Sequence, residues 1–142
     1  MIIPDINLLV YAYNASAPDH ERARDWWEVA LSEARPIGLP WVVQLGYLRL
    51  MTSRSVLLDP FTPAEAIGHL RSWLVRPQVL VIAPGGRHLD LIEELMRASR
   101  ATGQHTTDVH LAALAIEHQA ELCSNDTDFT RFPGLRWTNP LR

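Results

Sequence analysis

Short apolar segments alternate with longer amphipathic segments along this 142-residue chain, and this alternation constrains the fold most strongly. Strands that are apolar on both faces are typical of parallel sheets covered by helices on each side. The sequence therefore predicts an α/β fold with a mainly parallel sheet of four or five short strands. The predicted strands are residues 1–4, 37–39, 79–82 and 122–124, with a weaker one at 135–137.

Helical signals fill the intervals between these strands. Thr62 precedes Pro63 and Glu65, which predicts an N-cap for one helix, and Gly103 is expected to end another. Thr106 or Thr107 is expected to cap the helix after Gly103. A chain of this length supports one domain over residues 1–142. The predicted helices cover residues 8–13, 19–33, 41–52, 63–77, 88–101 and 106–119.

The cysteine content and the apolar runs indicate the compartment. The lone Cys123 lies in an apolar stretch, which predicts a buried thiol, no internal disulfide and a reducing environment. The first apolar run has no basic leader and contains Asp5, which argues against a signal peptide. The longest apolar region, residues 36–51, is interrupted by Pro40 and Arg49 and is too short to cross a bilayer. We expect a cytoplasmic protein without a membrane partner.

The charge pattern and the absent motifs narrow the function classes. The net charge of −3 does not indicate a nucleic-acid binder, although all 13 basic residues are arginines. Arginine binds phosphate well, but biased codon usage also explains the absence of lysine, and we favour that explanation. The chain has no GxxxxGK[ST], GxGxxG or GxSxG motif, so it lacks the usual nucleotide-binding loops and serine nucleophile elbow.

Four acidic residues, far apart in sequence, are predicted to meet at one edge of the sheet. Asp5 follows the first strand, Asp126 and Asp128 follow the strand at 122–124, and Asp108 lies in the first turn of a helix. Each has an ordinary structural explanation as a cap, a turn residue or a partner of the helix dipole. Together they would repel one another at the carboxyl edge of a parallel sheet unless a cation neutralised them. The pattern favours a Mg²⁺ or Mn²⁺ site.

Two histidines flank one of these acids. His105 and His110 stand on either side of Asp108, but no HxxxH or Cys/His pairing supports zinc. We expect both histidines to be helix-face residues.

Four segments, which together extend over almost the whole chain, resemble the PIN-domain ribonucleases and, within them, the VapC toxins of bacterial toxin–antitoxin pairs. They are IIPDINLLVYAYN, LPWVVQLGYLRLMT, ATGQHTTDVHLAALAIEHQAEL and CSNDTDFTRFPGLRWTNPL. The resemblance implies a three-layer α/β/α sandwich and a Mg²⁺- or Mn²⁺-dependent endoribonuclease that cleaves tRNA or rRNA. It also implies a cognate VapB-type antitoxin, with the toxin as a homodimer in a heterotetramer or larger assembly.

The resemblance also assigns roles to residues. It implies that Asp5, Asp108 and Asp126 bind the metal and that Asp128 assists them as a fourth catalytic acid. Three further residues, expected to support the site, are Asn7, Arg49 and Ser124.

One position departs from the family pattern. Gly46 stands where the family usually carries a glutamate, three residues before Arg49. The loss of this ligand predicts weaker metal affinity or a single-metal site. It also leaves open a catalytically impaired module that binds RNA or protein. A haloacid-dehalogenase-like phosphatase, suggested by Asp5 after a strand, is weaker because this chemistry normally needs a lysine.

The adjacent Trp26 and Trp27 cannot both face the interior from one helix. We therefore expect one of them at an interface, either with a second copy of the chain or with an antitoxin segment.

Overall fold

Five short parallel strands form one sheet in the computed structural model, which describes residues 1–142. The strands are β1 (Ile2–Pro4), β2 (Ile37–Gly38), β3 (Val79–Leu80), β4 (Glu121–Cys123) and β5 (Arg136–Thr138). Their order across the sheet is β3-β2-β1-β4-β5, and every neighbouring pair is parallel. The prediction of a mainly parallel sheet with four or five short strands is confirmed.

Six helices cover this sheet. They are α1 (Ile6–Tyr13), α2 (His20–Ser32), α3 (Trp41–Met51), α4 (Pro63–Leu74), α5 (His88–Ser99) and α6 (Thr106–Glu117). The first four connect β1, β2 and β3 and pack on one another, whereas α5 packs on α6 and α6 packs on β4. From β1 the chain moves across the sheet to β2 and β3, and it then returns to β4 on the other side of β1. Because both crossovers are right-handed, the helices of the outward and return paths lie on opposite faces of the sheet. The three-layer α/β/α arrangement is confirmed.

The core consists of 35 buried hydrophobic residues from both layers and the sheet. Cys123 is buried as predicted, and burial raises the pKa of its thiol to about 12. Trp27 is buried within the chain and Trp26 is only partly buried, and their ring centroids lie 5.7 Å apart. None of the six helices combines the length and the hydropathy that a membrane-spanning helix requires.

Several predicted boundaries are wrong, for local reasons. Helix α5 ends at Ser99 because its C-cap residue, Arg100, already adopts the left-handed conformation, with φ of 60°, three residues before Gly103, whose φ is also positive at 51°. Gly103 instead begins a 3-10 turn, Gly103–His105, that leads into α6. Neither Thr106 nor Thr107 caps α6, because Thr106 is already its first residue and its hydroxyl donates to the Gly103 carbonyl.

The cap predicted for α4 is confirmed as a full capping box. The Thr62 hydroxyl accepts from the Glu65 backbone N–H at 3.2 Å, and the Glu65 carboxylate accepts from the Thr62 backbone N–H at 3.0 Å. The predicted strand at 79–82 is shorter, however, and ends at Leu80, although Ile82 remains buried. Helix α4 ends at Leu74 and not at the predicted residue 77, because Pro77 disfavours helical geometry at the residue before it.

The strand order reverses between β1 and β4. These strands lie side by side, with Pro4 paired to Cys123 at their carboxyl ends. Ligands of open parallel sheets bind at such a reversal. The residues that follow directly, Asp5 and Ser124, are therefore placed next to each other at the expected edge.

Candidate functional site

Asp5 is held by hydrogen bonds to both of its carboxylate oxygens. It is the N-cap of α1, and its Oδ1 accepts from the Ile6 backbone N–H at 2.7 Å. Its Oδ2 accepts from the Ser124 hydroxyl at 2.7 Å, and its own N–H donates to the Cys123 carbonyl at 2.8 Å. The residue is 7% exposed. The junction of β1 and β4 thus fixes a buried carboxyl group at the strand ends.

The pKa of Asp5 is raised to about 6. Burial is the main cause, and the negative charges of Asp108 and Asp126 add to it, whereas the hydrogen bonds from Ser124 and Ile6 oppose it. A bound cation would reverse this balance by favouring the ionised carboxylate. The raised pKa therefore reflects mainly the buried position of Asp5 and, to a smaller degree, its acidic neighbours.

Ser124 links Asp5 to Asp126. Its fully buried hydroxyl donates to Asp5 and accepts from the Asp126 backbone N–H at 3.0 Å. The half-buried Asp126 then caps the 3-10 turn Thr127–Arg131, since its Oδ1 accepts from the Asp128 backbone N–H at 2.8 Å. Asp128 itself is exposed. One oxygen of Asp126 remains free of protein hydrogen bonds, which makes it the available ligand atom of this segment.

Asp108 approaches the same region from α6. It lies half-buried in the first helical turn, where the helix dipole favours its negative charge. Burial raises the pKa of Asp108, His105 lowers it, and Asp126 and Asp128 raise it by repulsion. The structure therefore brings Asp5, Asp108 and Asp126 within electrostatic reach of one another, as the sequence predicted.

The carboxylates do not form a closed set of metal ligands. No group of three or more histidine, cysteine or acidic side chains lies close enough to hold a metal ion. The donors nevertheless fit a hard divalent cation, because Mg²⁺ and Mn²⁺ prefer carboxylate oxygens and because acidic neighbours help to raise the pKa of Asp5 and of Asp108. The carboxylate oxygens are therefore suitable ligands for Mg²⁺ or Mn²⁺. The acidic side chains would have to move closer together to bind the ion.

The supporting residues from the sequence lie around these acids. Asn7 is exposed in the first turn of α1, and Arg49 is exposed in the last turn of α3. Arg49 lines a cleft together with Ile6, Gly46 and Thr107, which are neighbours of the acidic cluster in sequence or in space. Of the three supporting residues, Ser124 has the most direct contact with the acids, through its hydrogen bond to Asp5.

The space beside Gly46 is occupied by Ile6. A Cβ built at Gly46 would lie 2.5 Å from Ile6 Cδ1 and 3.0 Å from Ile6 Cγ1. A glutamate at this position would therefore require the Ile6 side chain to move. The glycine and the isoleucine together give this wall of the site an apolar surface.

Two contacts near the acids escaped the sequence prediction. His105 is not on a helix face but in the 3-10 turn, with its Nδ1 3.6 Å from Asp108 Oδ2. Its spacing of three residues from Asp108 is the signal that indicates this contact. The pairing of Ile6 with Gly46 has no comparable signal, because it depends on how α1 packs on α3.

His110 has the helix-face role that was predicted. Its Nδ1 lies 2.8 Å from Nε2 of the buried His88, whose Nδ1 is in turn 3.1 Å from Glu117 Oε1. Glu117 also accepts from the Gly85 backbone N–H at 2.8 Å. This chain of contacts joins α5 to α6.

Known proteins with this sequence pattern and fold are ribonucleases and toxin–antitoxin components. The PIN domain family model matches residues 2–135. Ribonuclease VapC33 of Mycobacterium tuberculosis is 46% identical over 142 residues, which cover 100% of this chain and 99% of that protein. Ribonuclease VapC37 of the same organism is 36% identical and covers 99% of this chain and 97% of its own length.

Solved structures show the same fold. VapBC2 from Rickettsia felis, bound to a promoter DNA fragment, contains a chain with a TM-score of 0.68 and 20% identity, covering 98% of both chains. VapC20 of Mycobacterium tuberculosis, described as a toxin that cleaves the sarcin–ricin loop, has a TM-score of 0.67 and 18% identity, covering 96% of this chain and 99% of its own. The family match over most of the chain and the full-length relatives show that this chain belongs to the PIN-domain family and is a VapC-type member of it.

Proposed function

We propose that this protein is a metal-dependent endoribonuclease that acts as the toxin of a type II toxin–antitoxin pair. The single observation that carries the proposal is the junction in which Ser124 ties the buried Asp5 to Asp126, with Asp108 close enough to raise the pKa of Asp5. The names of the two similar mycobacterial ribonucleases support the reaction class.

The residues of the junction would have distinct roles. Asp5, Asp108 and Asp126 would hold one Mg²⁺ or Mn²⁺, while Asp128 would orient the ligands from the exposed side. When bound, such an ion neutralises phosphate charge and lowers the pKa of a coordinated water. Ser124 keeps Asp5 directed at the site and positions the backbone of Asp126. These contacts fix Asp5 and the Asp126 backbone before substrate arrives, whereas the remaining carboxylates would still have to move toward the ion.

Two supporting residues would act on the substrate side. The exposed guanidinium of Arg49 would attract an RNA phosphate toward an otherwise negative region, because guanidinium pairs well with phosphate oxygens. Asn7, exposed two residues after Asp5, would orient a phosphate or a water through its amide.

We also propose the assembly in which this activity is controlled. The Rickettsia structure is a toxin–antitoxin complex on DNA, which supports a cognate VapB-type antitoxin for this chain. A homodimer within a heterotetramer or larger complex, acting in the cytoplasm, is the arrangement we expect. The whole of residues 1–142 would act as one PIN domain, and the partly exposed Trp26 would contribute to one of the interfaces.

A second candidate is an RNA- or protein-binding module without turnover. It is favoured by the apolar contact of Ile6 with Gly46 in place of a carboxylate and by the lack of a closed ligand set. RNA affinity without metal-stimulated cleavage would support this candidate against the nuclease.

The test is cleavage of total RNA by purified protein, free of antitoxin, in Mg²⁺, Mn²⁺ or EDTA. We expect cleavage only with a metal, and a loss of at least about 100-fold in Asp5→Asn and Asp108→Asn. Asp90→Asn, which changes an exposed acid in the first turn of α5, is the matched control and should retain full activity. Cleavage that persists in EDTA, or in both site variants, would refute the proposal.

A further inference from the structure

A cleft opens directly beside the acidic junction, and Arg49 is the only one of its lining residues to which the proposed function gives a role. It has a volume of about 400 Å³ and is lined by Ile6, Val42, Leu45, Gly46, Arg49 and Thr107. Ile6 follows Asp5 in sequence and Thr107 precedes Asp108, so one wall of the cleft is continuous with the acids. Its size falls within the range of about 300–1,000 Å³ that is usual for small-ligand sites.

The opposite wall is one face of α3. Val42, Leu45, Gly46 and Arg49 recur at the spacing that places residues on one side of a helix. Leu45 is 57% exposed, although its neighbours Val43 and Tyr47 are fully buried. The face therefore presents apolar groups to solvent next to a charged site, an arrangement that folding does not require.

The cleft has an apolar interior and one charged residue. Its interior is apolar, and the Ile6 side chain that lies against Gly46 forms part of its floor. Arg49 is its only charged lining residue and takes no part in the ion pairs of the structure. A ligand that matches these features has a flat apolar part and an anionic group, and it extends toward the acids.

We propose that this cleft is a nucleobase subsite that seats one unpaired base of the RNA beside the bond to be cut, with Arg49 on a neighbouring phosphate. The inference rests on the proposed function, and it restricts the substrate to RNA with an accessible single-stranded nucleotide. A base that is paired within an RNA duplex cannot enter such a cleft, whereas an unpaired loop nucleotide can unstack at a low cost in free energy. Trp41, 58% exposed one turn before Leu45, adds an aromatic surface on which the next base can stack.

Photo-crosslinking tests occupancy independently of cleavage. A short single-stranded oligoribonucleotide with 4-thiouridine is irradiated with the wild-type protein in Mn²⁺, and the crosslinked peptides are identified by mass spectrometry. We expect crosslinks in the segment 41–49, reduced about tenfold in Leu45→Ser, which removes apolar contact area. Leu58→Ser, which changes a fully exposed leucine outside the cleft, should leave them unchanged. Crosslinks that avoid segment 41–49 would overturn the subsite.

Steady-state kinetics then tests specificity on an oligonucleotide that spans the mapped cleavage site. We expect Leu45→Ser and Arg49→Gln to raise KM about tenfold with little change in kcat, because the cleft contributes binding and not bond breaking. The control for the arginine is Arg71→Gln, an exposed residue on α4. Removing the base beside the cleaved bond should raise KM for the wild type but add little in Leu45→Ser, since the same contact is already lost.

The outcomes separate the two proposals. Crosslinks in segment 41–49 without any cleavage would support the subsite and refute the nuclease. Cleavage with an unchanged KM in Leu45→Ser would support the nuclease and overturn the subsite. A dimer that becomes a monomer in Leu45→Ser, measured by analytical ultracentrifugation, would identify the cleft as a contact between copies of the chain and would also overturn the subsite.

Discussion

At the scale of a single residue, the buried position of Asp5 makes the stability of the protein depend on pH. Its pKa of about 6 exceeds the ordinary value of 3.8, so between these pH values the folded protein holds a proton that the unfolded chain has released. The metal-free protein should therefore lose stability as pH rises from about 4 to about 6. The shift corresponds to about 3 kcal/mol across this interval.

Chemical denaturation in EDTA at several pH values measures this effect. We expect the decline in the free energy of unfolding between pH 4 and pH 6 to be smaller in Asp5→Asn than in the wild type. The comparison uses the slope, because the asparagine also alters the hydrogen bonds with Ser124 and Ile6 and so shifts the absolute stability. Asp90→Asn should keep the wild-type slope. Equal slopes in wild type and Asp5→Asn would contradict this account of Asp5.

Gly46 provides a second prediction at this scale. Its added Cβ would meet Ile6 Cδ1 at 2.5 Å, whereas a Cβ at Gly68, also inside a helix, would have no neighbour within 4 Å. Gly68→Ala should stabilise the protein by about 1 kcal/mol through helix propensity alone. Gly46→Ala should be less stable than Gly68→Ala by about 1–3 kcal/mol, because it overpacks the contact with Ile6.

Thermal or urea unfolding of the two alanine variants provides this comparison. If Gly46→Ala stabilises the protein as much as Gly68→Ala, the Ile6 side chain can move aside with no loss in the free energy of unfolding. In that case a longer side chain at position 46 would also be accommodated, and the apolar wall would not be fixed by packing.

At the scale of elements, the capping box of α4 is the clearest local determinant of a boundary. Thr62→Ala removes the acceptor for the Glu65 backbone N–H and should cost about 1 kcal/mol of stability, measured by urea unfolding. Thr107→Ala is a suitable comparison, because this exposed threonine lies in the first turn of α6 and caps nothing. A similar loss in both variants would show that the box does not stabilise the helix start.

The elements also show which features can be predicted from sequence. The strands and the Thr62 cap follow from short-range patterns that act within a few residues, and these predictions are confirmed. The end of α5 was wrong because Arg100, a residue without special preference, takes the left-handed conformation usually left to glycine. The threonine cap predicted for α6 was wrong because the 3-10 turn leads directly into the helix, with His105 as its N-cap residue.

At the scale of the whole molecule, topology explains why distant acids meet. Asp5 and Asp126 are separated by almost the entire chain, yet the pairing of β1 with β4 places the residues after these strands side by side. The sequence predicts this convergence, because the carboxyl ends of parallel strands share one edge. It does not predict the pairing of Ile6 with Gly46 or the cleft beside it, which depend on how α1 and α3 pack across the finished sheet.

Calorimetric titration of the antitoxin-free protein with Mn²⁺ at pH 7.5 measures whether Asp5, Asp108 and Asp126 together bind one divalent cation. We predict one site per chain, with affinity reduced at least about tenfold in Asp5→Asn and Asp108→Asn and unchanged in Asp90→Asn. Removal of one carboxylate costs most when the remaining acids share the same ion, so both site variants should be affected. Mn²⁺ affinity that is the same in the wild type and both site variants would contradict the binding of one ion by these acids.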